Sequence, residues 1–439
     1  MKEPKNFLKM KSGNLKYNRQ IVLSLVFFLM SQVTMATQPG TGFKAGAAKI
    51  KITPETPIPM SGYGGRKDPF KGVREDIYAR AVVISDGSNK VAILSAELIG
   101  FSHSFWEECT SLIRQQTGIP VENIFLSAVH SHRGPVTGVY TREISPEVSA
   151  YVKGIQAKLA EVTRSAMENL APASIGAGKG ECLMNINRIA PDGKGGVVLG
   201  RNPYGPCDHE VGVVRIDNAS GKPVAVLVNW PCHGVVLGPR NYYITGDWPG
   251  AASRYLEEYF GENVVAPMII GASGDINPIY GPHIDFEVTS SYSFGKDAIG
   301  EDLGKETIRI FNGIHVTDNG KINAAQRVIS LPLKNPEGSF QQPESAAGES
   351  LHVRLSAVKI GGIILTGVSG EVFNQISVQM RERSPYSNTF MVTHCNGSSG
   401  YLVTDEAYEK GGYESRSTRV KSGAEEGIIE NLLDMINKL

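Results

Sequence analysis

The chain is punctuated by short apolar runs of strand length, each emptying into a loop of glycine and polar residues. Val82-Val83-Ile84 and Val91–Ser95 flank the turn Asp86-Gly87-Ser88-Asn89. Ile124–Ala128, Val211–Ile216, Val224–Val228, Val264–Ile270, Ile363–Val368 and Phe390–Thr393 repeat the pattern. Continuous apolar runs bounded by turn residues read as buried strands. Phe105–Gln116 and Val148–Asn169 carry apolar residues at helical spacing, the first ended by Gly118 and Pro120. Such strands need helices to cover them, so the expected fold class is α/β, or α+β layered, with a mixed β-sheet core and flanking helices. No repeat, low-complexity tract or domain break is visible, and one domain is expected over residues 37–439, entered through a short linker at 37–48. The segment Cys182–Pro206, with Gly193, Gly195, Gly196 and Gly200, reads as a loop, and Ser339–Glu349 as a flexible insertion.

The N-terminus reads as a targeting segment. Lys2, Lys5, Lys9, Lys11, Lys16 and Arg19 precede the apolar run Ile21–Met30, with small Ala36 soon after. The run is shorter than the ~20 residues a bilayer span needs, so residues 1–36 are expected to be a signal peptide, an uncleaved anchor being the rival reading. The mature chain is then exported, periplasmic or extracellular. Lys plus Arg and Asp plus Glu both number 44, so no net charge recommends a nucleic-acid partner. Peripheral membrane contact stays open, and a small-molecule substrate is expected. Five cysteines are present; Cys182 and Cys207 could pair, and the absence of C-x-x-C spacing gives no support to a zinc–thiolate site.

The sharpest local signal is Ser127-Ala128-Val129-His130-Ser131-His132-Arg133-Gly134-Pro135. With extended backbone, His130 and His132 would share a face at the mouth of a strand. Neutral imidazole is a common metal ligand, although two loop histidines with local hydrogen bonds give the same pattern. His233 follows the run Val224–Trp230, and Glu371 follows Ile363–Val368 through Ser369-Gly370. Two histidines and a carboxylate are a familiar set for catalytic zinc. Taken singly, each has an ordinary structural reading: a strand-end histidine, a solvated charge or a helix cap.

His130-Ser131-His132-Arg133-Gly134-Pro135 is similar to the A-T-H-T-H-S-G-P motif of the neutral ceramidases. Gly274-Asp275-Ile276-Asn277-Pro278 resembles their G-D-V-S-P-N motif, and Met60-Ser61-Gly62-Tyr63, Asn229-Trp230 to His233, Thr245-Gly246-Asp247, Gly370-Glu371 and Asn396 through Tyr413-Glu414 fall in family order. The resemblance implies a neutral-ceramidase-like catalytic domain with zinc on His130, His233, Glu371 and Tyr401. It further implies active-site roles for His132, Arg188 and Tyr413. The implied reaction is metal-assisted hydrolysis of an N-acyl amide, with His132 as general acid or base and Arg188, Tyr413 or Asn277 stabilising the oxyanion.

Two departures qualify the substrate. Asn277 stands where the family has serine, and an amide cannot become an alkoxide nucleophile, although it can donate and accept hydrogen bonds. Ser273 is a weak substitute. Full-length ceramidases continue into an immunoglobulin-like domain, and no such C-terminal domain is expected here. Alternatives are a zinc hydrolase of a non-lipid substrate (an acylated sugar, N-acyl amine, ester or lactone), a non-catalytic binding protein on the same fold, and a purely structural metal site.

Overall fold

The computed structural model describes Met1 and residues 42–66, 68–139, 144–281, 294–334, 346–347 and 349–439. The expected signal peptide, and Ser339–Glu349 except for positions 346, 347 and 349, lie outside those residues. The fold is the expected layered mixture. An eight-stranded mixed sheet runs in the order Met268–Ile270, Pro223–Trp230, Glu210–Asn218, Ala171–Glu181, Lys44–Lys51, Tyr78–Ser85, Lys90–Ala96 and Ile124–Ala128. A second sheet pairs Ile322–Pro332, Ser350–Ile360, Ile363–Val368 and Asn388–Val392 in that order. The two sheets share a core in which Phe125, Leu227 and Ile269 meet Val358, Leu365 and Phe390. Helices His103–Thr117 and Pro146–Glu168 cover the outer face of the first sheet, packing on Leu94, Leu126 and Ala81. Ser102 and Ser145 cap them by accepting from the N–H groups of Phe105 and Val148, and Gly118 ends the first with φ 70°.

Four expectations are corrected. Cys182–Pro206 is not a loop: Asn185–Pro191 and Val197–Asn202 form an antiparallel hairpin, and Ile276–Pro278 pairs with its first strand. Its turn is closed by Asp192, whose carboxylate accepts from the N–H groups of Lys194 and Gly196. Gly193, Gly195 and Gly196 therefore mark a turn between strands, while Gly200 lies within the second strand. Val264–Ile270 is a strand only over Met268–Ile270, because Pro267 lacks the N–H that would continue the ladder. Strand Lys44–Lys51 begins inside the expected linker. The cysteines are all free thiols, Cys182 and Cys207 included.

Strand Ala171–Glu181 was hidden for a packing reason. Gly176, Gly178 and Gly180 alternate on one face, where a Cβ would meet His315 O at 2.2 Å, Ile314 at 2.8 Å and Glu306 at 2.1 Å respectively. Helix Phe294–Gly313 and the turn after it lie too close for side chains, so the usual apolar alternation is absent. Among the described residues, no helix is long and apolar enough to cross a membrane.

Candidate metal centre

Strand ends of the two sheets aim the histidines and the glutamate at one point. His130 leaves strand Ile124–Ala128, and its Nδ1 lies 2.8 Å from the carbonyl oxygen of Ile99, just beyond the neighbouring strand. His233 leaves strand Pro223–Trp230, with Nδ1 2.6 Å from the carbonyl oxygen of Ser273. A ring nitrogen facing a carbonyl must carry the proton, so each Nε2 presents a lone pair. Both Nε2 atoms lie 3.4 Å from Glu371 Oε2, and all three residues are buried. The main chain of His233 is fixed as well, its carbonyl accepting from Trp248 Nε1 at 2.9 Å. Asp247 holds the following turn by accepting from Val236 and Leu237 at 3.2 Å each.

His132 joins this group by a different route from the one expected. The backbone is not extended: His130 has φ 54°, a left-handed conformation that turns the chain and brings the two rings together. Their Nε2 atoms are 3.3 Å apart. Gly62, at φ 96°, makes room for His132; a Cβ there would lie 2.5 Å from its ring. Arg66 donates to the His132 carbonyl at 2.8 Å, and Tyr63 meets the ring edge-on at 5.0 Å.

Glu371 and Tyr401 arrive together on a short parallel ladder in which they are direct register partners. Arg188, on the hairpin strand Asn185–Pro191, spans the remaining side. Its Nε donates to Glu414 at 2.7 Å, NH1 to His233 Nε2 at 3.1 Å and to Asn277 Oδ1 at 3.3 Å, and NH2 to the Tyr401 hydroxyl at 2.9 Å. Asn277 is thus buried beside Arg188. Tyr413 meets Tyr401 edge-on at 5.8 Å but is 44% exposed, at the rim. Every expected site residue is therefore in this cluster or beside it. Ser273 holds His233 through its carbonyl, while its buried hydroxyl has no partner among the described residues.

Sequence reading missed His394. Its ring stacks on that of His130, with centroids 3.8 Å apart and planes 14° apart. A histidine at the end of an apolar run was the available signal, the same one that marked His233.

The electrostatics follow from burial. Desolvation, followed by the Arg188 charge, pushes His233 down to about 3, so it stays a neutral donor. Burial also takes His132 well below the ordinary imidazole value, with His130 and His233 adding to the effect. Burial holds the Tyr401 phenol well above its ordinary value. Two buried lone pairs converge on a buried carboxylate, with Arg188 NH1 reaching His233 Nε2 at 3.1 Å from one side, and a divalent cation is the natural complement of the three. The donor set fits zinc. His130, His132 and His233 also offer nitrogen atoms lying within 4.8 Å of one another.

A profile of the family described as "Neutral/alkaline non-lysosomal ceramidase, N-terminal" matches residues 43–291, more than half of the chain. The chain belongs to that family. The ceramidase match includes His130, His132, Arg188, His233 and Asn277, whereas Glu371, Tyr401 and Tyr413 lie beyond it. Neutral ceramidase 2 of Arabidopsis thaliana is 24% identical over 255 residues, which are 55% of this chain and 32% of that protein. The neutral ceramidase of Mycobacterium tuberculosis is 28% identical over 244 residues, 50% of this chain and 37% of its own. The chain thus spans about a third of the length of these ceramidases. In three dimensions the likeness is wider: the crystal structure of neutral ceramidase from Pseudomonas aeruginosa superposes with TM-score 0.74 at 17% identity, covering 90% of this chain and 74% of that one. A structure titled "Ceramidase complexed with C2" gives TM-score 0.75 at 17% identity, over 90% and 75%. These two ceramidase structures establish the fold.

Proposed function

We propose that this chain is an exported, zinc-dependent hydrolase that cleaves an N-acyl amide of ceramidase type. The observation that carries the reading is the pair of imidazoles, each fixed through Nδ1 to a backbone carbonyl, with both Nε2 atoms 3.4 Å from one Glu371 oxygen. His130, His233, Glu371 and Tyr401 would hold the ion. When bound, zinc would polarise the scissile carbonyl and make water acidic enough to attack near neutral pH.

The remaining residues supply positioning and proton transfer. His132 moves the proton at its Nε2, which faces the centre while Gly62 and Arg66 hold the ring and main chain behind it. Arg188 offers a positive charge to the developing oxyanion, and its guanidinium is preorganised by Glu414, Tyr401 and Asn277. Asn277 acts as an orienting acceptor for Arg188, which is compatible with an amide in place of the family serine. Tyr413, at the rim, is suited to contact the substrate. Export rests on the basic and apolar leader alone.

The experiment is metal analysis of the gently purified protein, with turnover of short-chain N-acyl sphingosines measured alongside simple N-acyl amines and esters. Stoichiometric zinc with amide cleavage that a chelator abolishes is expected. A protein that takes up no divalent ion would end the proposal.

A further inference from the structure

His394 lies outside every motif used above, yet it touches the centre at close range. Its ring is parallel to that of His130, the side chain is buried, and its Nε2 has no hydrogen-bond partner among the described residues. The two stacked residues share a second peculiarity. His130 and His394, with φ 54° and 50°, both belong to the small set of non-glycine residues with positive φ among the described residues. Such backbone is unfavourable for a residue with a Cβ, and the surrounding structure must hold it.

The main chain of His394 does so from both sides. Its carbonyl accepts from the N–H of Ala128 at 3.3 Å, at the end of the strand carrying His130. Its N–H donates to the carbonyl of Gly370 at 3.2 Å, immediately before Glu371. The residue therefore ties together the backbones that deliver two of the proposed ligands. The bond from His130 Nδ1 to Ile99 fixes one edge of the imidazole but leaves its tilt about that edge free. A flat ring stacked at 3.8 Å removes that freedom.

We propose that His394 is a positioning residue of the metal centre, its ring being the platform that sets the tilt of His130 and hence the direction of His130 Nε2. This rests on the reading that His130 holds the ion. The role belongs to the face of the ring; neither nitrogen is required.

The test uses the full chain loaded with Co2+ in place of zinc, so that the visible absorption spectrum reports ligand geometry and chelator competition reports affinity. His394→Phe keeps a flat face without nitrogen, and His394→Asn removes the ring while tolerating positive φ. The Phe variant is expected to keep the wild-type spectrum and an affinity within about threefold, and the Asn variant to bind about 10–100-fold more weakly with an altered spectrum. An altered spectrum or a matching loss in the Phe variant overturns the proposal, because a nitrogen would then be required. An Asn variant indistinguishable from wild type also overturns it. If the Asn variant fails to fold, the Phe variant decides alone. Wild-type protein that takes up no cobalt instead rejects the proposed metal site itself, a separate outcome from either variant result.

Discussion

Glu371 and Tyr401 face each other across a two-residue parallel ladder, the Glu371 N–H donating to the carbonyl of Gly400 at 2.9 Å. A carboxylate and a phenol from separate loops are thereby held in register by backbone hydrogen bonds. Gly370 permits the approach, since a Cβ there would lie 2.6 Å from Leu402 and 3.0 Å from the Gly400 carbonyl. Gly370→Ala is expected to part the ladder and lower metal affinity by more than tenfold, read by chelator competition.

The three neighbouring imidazoles are predicted to divide into two roles. His130→Ala and His233→Ala should each lower zinc affinity about 100-fold or more. His132→Ala should retain stoichiometric zinc while amide turnover falls roughly 10²–10⁴-fold. Metal analysis after dialysis, paired with turnover, separates the cases. Loss of zinc from His132→Ala would instead assign three imidazole ligands.

Arg188 and Glu414 form a buried ion pair at 2.7 Å. Burial works against the Arg188 charge, yet Tyr401, Glu414 and Glu371 outweigh it and keep the guanidinium firmly protonated. Glu414→Gln is expected to lower stability by about 3–5 kcal/mol in urea denaturation, since it leaves a buried charge without its partner. Arg188→Lys should fail to restore turnover, because a single ammonium cannot serve Glu414, Asn277 and Tyr401 in the same plane.

Asp275 gives a pH dependence of folding. Burial pushes its carboxyl up to about 7, despite hydrogen bonds from the Asn374 N–H at 2.8 Å and the Asn374 side-chain amide at 2.5 Å. Between its ordinary value of 3.8 and about 7 the native state binds more protons than the unfolded chain. Its contribution is therefore fully present below the lower value and is lost as the pH rises through the upper one. Urea unfolding of metal-free protein at several pH values should show wild type losing stability relative to Asp275→Asn across that window, with the difference levelling off above it.

Gly62→Ala tests the support of His132. The positive φ and the 2.5 Å approach to the ring make alanine costly there, by about 1 kcal/mol or more. Turnover should fall well beyond what the loss of stability explains, with zinc content unchanged, as measured by thermal melting and metal analysis of the same preparation.

How legible these features were depended on which force fixed them. Ile124–Ala128 and Ile363–Val368 announce themselves because both faces are buried, leaving uninterrupted apolar runs. Ile322–Pro332 and Ser350–Ile360 are longer but carry interspersed polar residues such as Gln326, Arg327, His352 and Arg354, and they passed unseen. At the site, His130 and His132 are legible from their spacing, although a single left-handed residue, and not the strand alternation that the spacing suggests, joins the rings. Tyr401, Tyr413 and Arg188 were reachable only through family resemblance, since a lone tyrosine or arginine carries no periodic signal. His394 is marked only by its place at the end of the run Phe390–Thr393, and its role comes from a contact across 264 positions of chain, between residues 130 and 394.

The anchoring of His130 and His233 on main-chain carbonyls has a consequence for descent. Carbonyl acceptors at strand ends survive almost any side-chain replacement, so the aim of both imidazoles is inherited with the fold and does not depend on the residues around the opening. A lineage can then exchange neighbouring side chains, as serine for asparagine, and explore new substrates around a grip that stays put.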